Sequence, residues 1–273
     1  MSPTAFPLHP GKHAFPAVPD PAEHAARVRA RHPGATLKHF AGIVIVYQAH
    51  VMEYAHRRYR PRLLNEWIRG DLRMFDHHGH TFGLCGGFGV GAPAAALVLE
   101  QLITLGATRF VTVGTAAALS PDLLPGTLVV CREALRDEGV SRHYLPPTAS
   151  IRPSPDLTDH LVRTIRATRA PARSGPTWTT DAPYRETEAE VAQYGASGVL
   201  TADMEAAAVF AVAAYRAVHA AAVFAAADTL VNRRPHDTGT TQRALRAALP
   251  AAFSALRAAS TAPPGPVGYA SRQ

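Results

Sequence analysis

The sequence predicts a single α/β domain, and three observations carry that expectation. Apolar runs of strand composition alternate with segments of helical periodicity from about residue 40 to residue 260. Polar and glycine residues gather where the apolar runs end, as at the carboxyl ends of strands in open α/β sheets. The chain has 273 residues, 47% of them hydrophobic, enough to bury one large core.

Residues 1–37, rich in Pro, His, Ala and Arg, read as a loose N-terminal extension. The domain is expected over 38–260, with a flexible tail over 261–273. Ile43–Val46 is a buried strand, and Thr81–Cys85 a second one. Between them His77-His78-Gly79-His80 reads as a polar hairpin turn. Its histidines are of metal-binding type, but no acidic or Cys partner keeps ligand spacing with them. Pro93 fits the first turn of a helix over Ala94–Leu105 that stops at Gly106. Arg109–Val113 is a strand ending in Gly114-Thr115, and Pro125–Cys131 holds another after a turn. A helix is expected over Leu157–Ala167 and one after Glu205. A strand follows over His219–Ala227, ending at Asp228, and then a helix over about 240–259. No internal repeat is evident.

Composition narrows the function. The net charge of +7 is almost all arginine, since Lys12 and Lys38 are the only lysines. Apart from Arg57, Arg58, Arg60 and Arg62 the arginines are scattered, and no zinc spacing or aromatic-basic motif accompanies them. A solvated basic surface is therefore expected, with no nucleic acid as partner. No apolar run reaches membrane-span length, and Met1–Pro21 carries no signal core. Cys85 and Cys131, both in apolar runs, make no disulfide framework. A cytoplasmic protein with no membrane partner is the expectation.

Two segments carry chemistry. Gly86-Gly87-Phe88-Gly89-Val90-Gly91 joins a strand to a helix but lacks the glycine spacing and the later acidic residue of a dinucleotide fingerprint. The other reading is a close-approach loop whose bare N–H groups meet an anion or a sugar. Met204-Glu205 precedes an Ala-rich helix. Glu205 either caps that helix or stands as a buried carboxylate that needs a partner. Vicinal hydroxyls, such as those of a ribose, suit it, because they donate two hydrogen bonds to one carboxylate.

Four blocks together resemble the nucleoside phosphorylase and nucleosidase superfamily, which holds uridine phosphorylase, hexameric purine nucleoside phosphorylase and methylthioadenosine nucleosidase. They are Gly89–Ala96 with Glu100–Ile103 and Gly106; Val113–Leu119 with Pro125–Val130; Asp203–Ala208; and Ala227-Asp228. Their order and spacing match over about residues 40–260. The resemblance implies a mixed, partly barrel-like central sheet flanked by helices, in a homo-oligomer, either a dimer or a hexamer of dimers. It implies cleavage of the N-ribosidic bond of a small-molecule nucleoside, with no cofactor, no metal and inorganic phosphate as co-substrate. Glu205 would hold ribose hydroxyls and Met204 would pack on the sugar. Gly89 and Thr115 would touch phosphate or another nucleophile. Asp228 would be the acid at the departing base, its alternative being a helix cap. An Asp there favours a purine-like base. Tyr184 and Arg185 fall in the base-contacting loop or form a surface turn, and Ala117 replaces a usual Gly at the base.

The chain also departs from the pattern. The phosphorylase Gly-Asp-Pro-x-Arg loop reads Tyr47-Gln48-Ala49-His50-Val51-Met52-Glu53 here, and a phosphate-binding arginine is replaced by Thr112. Arg69 keeps the spacing of the cation that a neighbouring subunit supplies. Phosphorolysis and hydrolysis both stay open, with His50 and Glu53 as candidates to activate water. Glu53 also reads as a helix-face charge. A member that binds a nucleoside without turning it over is a third reading.

Overall fold

The computed structural model describes residues 7–231 and 238–261. The elements run α1 (Ala22–Arg31), β1 (Phe40–Val46), α2 (Ala49–Tyr59), β2 (Arg62–Leu64), β3 (Asp71–His77), β4 (His80–Gly86) and α3 (Ala92–Thr104). They continue with β5 (Arg109–Ala118), β6 (Leu128–Asp137), α4 (Ser141–Tyr144), β7 (Ser150–Ile151), α5 (Pro155–Ala167) and β8 (Ala172–Thr180). The chain ends with α6 (Glu188–Ala196), β9 (Thr201–Asp203), α7 (Ala206–Tyr215), β10 (His219–Thr229) and α8 (Thr238–Thr261). The flexible tail expected over 261–273 lies, after Thr261, outside the described residues.

One mixed sheet organises the molecule. In it β10, β6, β8, β9 and β5 pair in succession, and β5 pairs back with β10, so these strands close on themselves. From β5 the sheet runs outward through β1, β4, β3 and β2. The strands β4, β1, β5 and β10 are parallel to one another, which brings their carboxyl ends to one edge. This is the mixed, partly barrel-like α/β sheet that the resemblance implied.

The apolar alternation of β1 explains the layers. Ile43 and Ile45 pack with Leu99 and Leu102 of α3 and Val209 and Phe210 of α7. Val44 and Val46 pack on the other face with Leu161 of α5 and Leu245 and Leu249 of α8. A strand covered on both faces must be apolar throughout, and β1 is buried from end to end. The helix α7 is buried all round as far as Ala213. Its run of alanines lets it lie close to the sheet, where a bulkier polar face would find no water.

Several elements were not legible in the sequence. Residues 22–31, read as part of a loose extension, form α1, whose Ala25 and Val28 pack into the core and which contacts α3. Only two buried positions sit among polar ones there, so the apolar signal is thin. The strand β8 carries Gly175 and Pro176, which read as a breaker. A Cβ on Gly175 would lie 2.6 Å from Leu200 Cδ1, so a larger residue there would make the Leu200 side chain shift.

Close packing at the base of β1 gives a test of the layer arrangement. A Cβ on Gly42 would lie 2.5 Å from Leu256 Cδ2 and 3.0 Å from the Arg109 carbonyl oxygen. Gly42→Ala should therefore destabilise the fold by about 1–3 kcal/mol through overpacking. Urea unfolding checks this, and an unchanged midpoint would show that α8 does not press on β1 as described.

Candidate active site

The carboxyl end of β9 and the start of α7 are fixed by one buried carboxylate. Asp203 Oδ2 accepts the N–H groups of Glu205 at 3.0 Å and Ala206 at 2.7 Å. Its Oδ1 accepts the Thr179 hydroxyl at 2.7 Å and, more weakly, that of Thr177 at 3.4 Å. Thr179 Oγ1 in turn accepts the Ala207 N–H at 3.2 Å. The orphan donors of the first turn are thus satisfied by Asp203 and Thr179. Burial pushes the Asp203 carboxyl upward, and these hydrogen bonds oppose that push.

Capping by Asp203 leaves Glu205 free for another task. Glu205 is 7% exposed, and its Oε1 accepts the Gly91 N–H at 2.6 Å. Gly91 has φ of 94°, in the region that favours glycine, and this backbone turns its N–H toward the carboxylate. Burial is the main force pushing the Glu205 pKa up to about 7, followed by the charge of Asp203. The Gly91 and Met204 N–H groups pull it down, and Asp181 pushes it up.

The parallel strands supply the wall around this group. Where β1 ends, the Tyr47 ring lies against Gly114, and a Cβ on Gly114 would be 2.9 Å from Tyr47 Cδ2. The same ring meets Phe88 of the glycine loop edge-on at 5.8 Å. Burial, then the charges of Glu205 and Asp203, raise the Tyr47 phenol, so it stays protonated at neutral pH. Beside it, Gln48 Nε2 donates to Thr115 Oγ1 at 3.0 Å. Thr115 pairs with Ala225 of β10. Further along β10, Asp228 is half-buried, where the register with β5 shifts between Ala226 and Thr229. Such an irregularity re-aims a side chain at a sheet edge.

The structure gathers Glu205, Met204, Thr115, Asp228 and the loop holding Gly89 at this edge. Gly89 itself is exposed, with φ of 104°. Ala117 is half-buried on β5, opposite Ala202. Other predicted residues stand apart. Tyr184 is 99% exposed and Arg185 is exposed on a 3-10 turn, although Asp181 just before them is near enough to act on Glu205. Arg69 is exposed, and its backbone N–H donates to Gln101 Oε1 at 2.9 Å. Glu53 is exposed on α2 and lines a cavity of about 420 Å³ with His56, Arg57, Asp71, Arg73 and Gly87 of the glycine loop. His50 is lowered in pKa by burial and then by Arg246 of α8, so it is neutral at pH 7. Thr112 is buried inside β5.

Sequence reasoning missed Tyr47, Gln48, Asp203 and Thr179 as parts of this arrangement. An available signal was Asp203 itself, a good cap residue three positions before an alanine run. Nothing local marked Thr179, because its partners come from a different strand and helix.

Among the described residues no group of three or more His, Cys, Asp or Glu is placed to hold a metal. No described helix is long and apolar enough to cross a membrane.

Comparison with known proteins adds the family. A model of the phosphorylase superfamily matches residues 69–260. The chain belongs to this superfamily. It is 33% identical over 135 residues to the guanosine phosphorylase of Halorubrum lacusprofundi, covering 50% of this chain and 56% of that relative. It is 28% identical over 147 residues to a DeoD-type purine nucleoside phosphorylase of Shewanella oneidensis, covering 53% of this chain and 62% of the relative. A stretch of 58 residues is 47% identical to the uridine phosphorylase of Treponema pallidum, covering 21% of this chain and 22% of the relative. The chain thus spans 56% and 62% of the lengths of the first two of these relatives. The fold matches a uridine phosphorylase structure from Vibrio fischeri with TM-score 0.67 and 24% identity, over 80% of this chain and 90% of that one.

The buried carboxylate gives a second test. A carboxyl raised from about 4.5 to about 7 is protonated in both states at low pH. Between those values the folded state alone keeps its proton, so stability is lost as pH rises, and above about 7 the loss is complete. Glu205→Gln removes this penalty, so its stability relative to the parent should rise by roughly 2–3 kcal/mol between pH 5 and pH 8. Denaturation midpoints at the two pH values measure it, and a pH-independent difference would place Glu205 in solvent.

Proposed function

We propose that this protein is an enzyme that cleaves the N-ribosidic bond of a nucleoside and passes the ribosyl group to inorganic phosphate. The observation that carries the reading is Glu205, a buried carboxylate released from helix capping by Asp203 and presented beside a glycine loop. Burial makes its ionised form costly unless donors arrive, and two vicinal sugar hydroxyls are such donors. Met204, half-buried next to it, would pack on the sugar.

The chemistry follows from the bond. The C–N bond breaks through a ribosyl cation, and a carboxylate that orients the sugar favours that charge as it develops. The base leaves poorly as an anion. Asp228, half-buried at the shifted register of β10, would protonate or hydrogen-bond it, which is worth about 10²–10⁴-fold. An acid at this place suits a purine-like base, and the names of the relatives include guanosine, purine and uridine enzymes. Tyr184, Arg185 and Ala117 would contact the base, the first two after their turn folds over it. Gly89 and Thr115 would meet the phosphate, with Arg69 reaching it from a second subunit of a homo-oligomer.

Hydrolysis is the second reading, and one observation favours it. Among the described contacts, Gln48 bonds Thr115 and Tyr47 lies against the adjoining Gly114, and neither carries positive charge. Charge-assisted hydrogen bonds to a phosphate are worth about 1.5–3 kcal/mol each, so their loss weakens the anion strongly. Water has no such need.

The test is to incubate the protein with inosine, adenosine, guanosine, uridine and methylthioadenosine, with and without phosphate, and to follow free base and sugar. Base release that requires phosphate and yields ribose 1-phosphate supports the first reading, and release without phosphate supports the second. Glu205→Ala should abolish turnover with the fold intact. For the parent, kcat/KM should fall below about pH 7, where Glu205 takes up a proton. Tight nucleoside binding with no turnover at any pH would instead mark a binding protein.

A further inference from the structure

Gln48 stands between β1 and α2 in extended backbone, at the position that often caps a helix, yet its side chain makes no capping bond. The amide reaches across to the neighbouring strand and bonds Thr115. Its other pole, Oε1, is buried and has no hydrogen-bond partner. A buried polar atom left unpaired is costly, and such atoms in folded proteins call for an explanation. The flanking Tyr47 ring is wedged between Gly114 and Phe88.

We infer that Gln48, clamped by Thr115, binds the oxygen nucleophile that attacks the sugar. The inference rests on the ribosidic-cleavage reading above. Gln48 follows directly on β1, and its partner Thr115 lies on β5 opposite Ala225 of β10, toward the carboxyl ends of these parallel strands. The amide bonds Thr115 with one pole whichever way it is turned, and the hydroxyl can donate or accept to match. The other pole is then either an acceptor or a donor toward the site. A group of this kind fits an oxygen that both carries a proton and has lone pairs, which describes water and hydrogen phosphate alike. In either case that oxygen forms a bond to the anomeric carbon as the C–N bond breaks. Its proton passes to solvent or base, and the C–N electron pair leaves with the base, which Asp228 protonates.

The experiment uses the full chain and steady-state kinetics on whichever nucleoside the protein turns over, with phosphate varied. Gln48→Ala should lower kcat/KM by about 10²-fold, because a misplaced nucleophile costs that much, while KM for the nucleoside changes little. Gln48→Met, which keeps the length and removes both polar ends, should show the same loss and guards against a packing defect in the alanine variant. Gln48→Glu distinguishes the two nucleophile sources. A new carboxylate should repel hydrogen phosphate and raise its KM by more than tenfold, whereas phosphate-free base release should fall less than it does in Gln48→Ala. Thr115→Val should reproduce part of the Gln48→Ala loss. Parent-like kcat/KM in both Gln48→Ala and Gln48→Met would overturn the inference alone. Absence of base release from the parent protein would overturn the ribosidic reading, and this inference with it.

Discussion

The hydrogen bond from the Gly91 N–H to Glu205 links parts of the chain that are 114 residues apart. It ties the glycine loop, which follows β4, to the start of α7, which follows β9. Each side of the bond is prepared separately. The loop can offer its N–H only because glycine accepts a positive φ at Gly91. The carboxylate is available only because Asp203 has taken over the cap of α7. The bond is also insufficient on its own. The Gly91 and Met204 N–H groups do not offset the burial of the charge, and the raised pKa of Glu205 records the deficit.

The second carboxylate sharpens this. Asp203 is 4% exposed and close enough to raise Glu205, yet it is saturated by two hydroxyls and two backbone N–H groups. The two acids are therefore not equivalent. One is occupied with structure and the other faces the edge of the sheet. Environments that separate neighbouring titratable groups in this way are what acid-base sites require. The closed part of the sheet makes the separation possible, because pairing of β8 with β9 brings Thr177 and Thr179 under Asp203.

Much of this was legible in the sequence. The buried strands, the glycine loop, the helix after Glu205 and the edge that collects Gly114-Thr115 and Asp228 all follow from apolar periodicity and from where polar residues interrupt it. Helices such as α1 were not, because two buried positions in ten residues leave little periodic signal. The strand β8 was hidden by Gly175 and Pro176, which local rules read as a turn, while in the fold Gly175 packs close to Leu200. At the site, sequence offered two readings of Glu205, and the gathering of polar residues at neighbouring strand ends favoured the buried carboxylate over the cap. The choice turns on which residue caps α7, and that depends on Thr179 from a separate strand. Likewise His50 and Glu53 sit next to the right strand in sequence. The helix α2 turns them elsewhere, one toward Arg246 of α8 and the other into a cavity with Arg57 and Asp71.

The choice of nucleophile and the state of assembly are one electrostatic problem. A phosphate dianion entering this edge meets Glu205, ionised above about pH 7, with Asp203 behind it and uncharged groups at Gln48, Tyr47 and Thr112. Repulsion between like charges in a partly buried setting is far stronger than in water. Neutral amides and a glycine loop answer only part of it. On the proposed reading, a second subunit that delivered Arg69 would add positive charge beside the phosphate. Water needs no counter-charge and only a group that orients it, a part that the clamped amide of Gln48 would play on the inference above. A monomeric form of this chain would then be competent for hydrolysis alone, and phosphate dependence would appear only together with association.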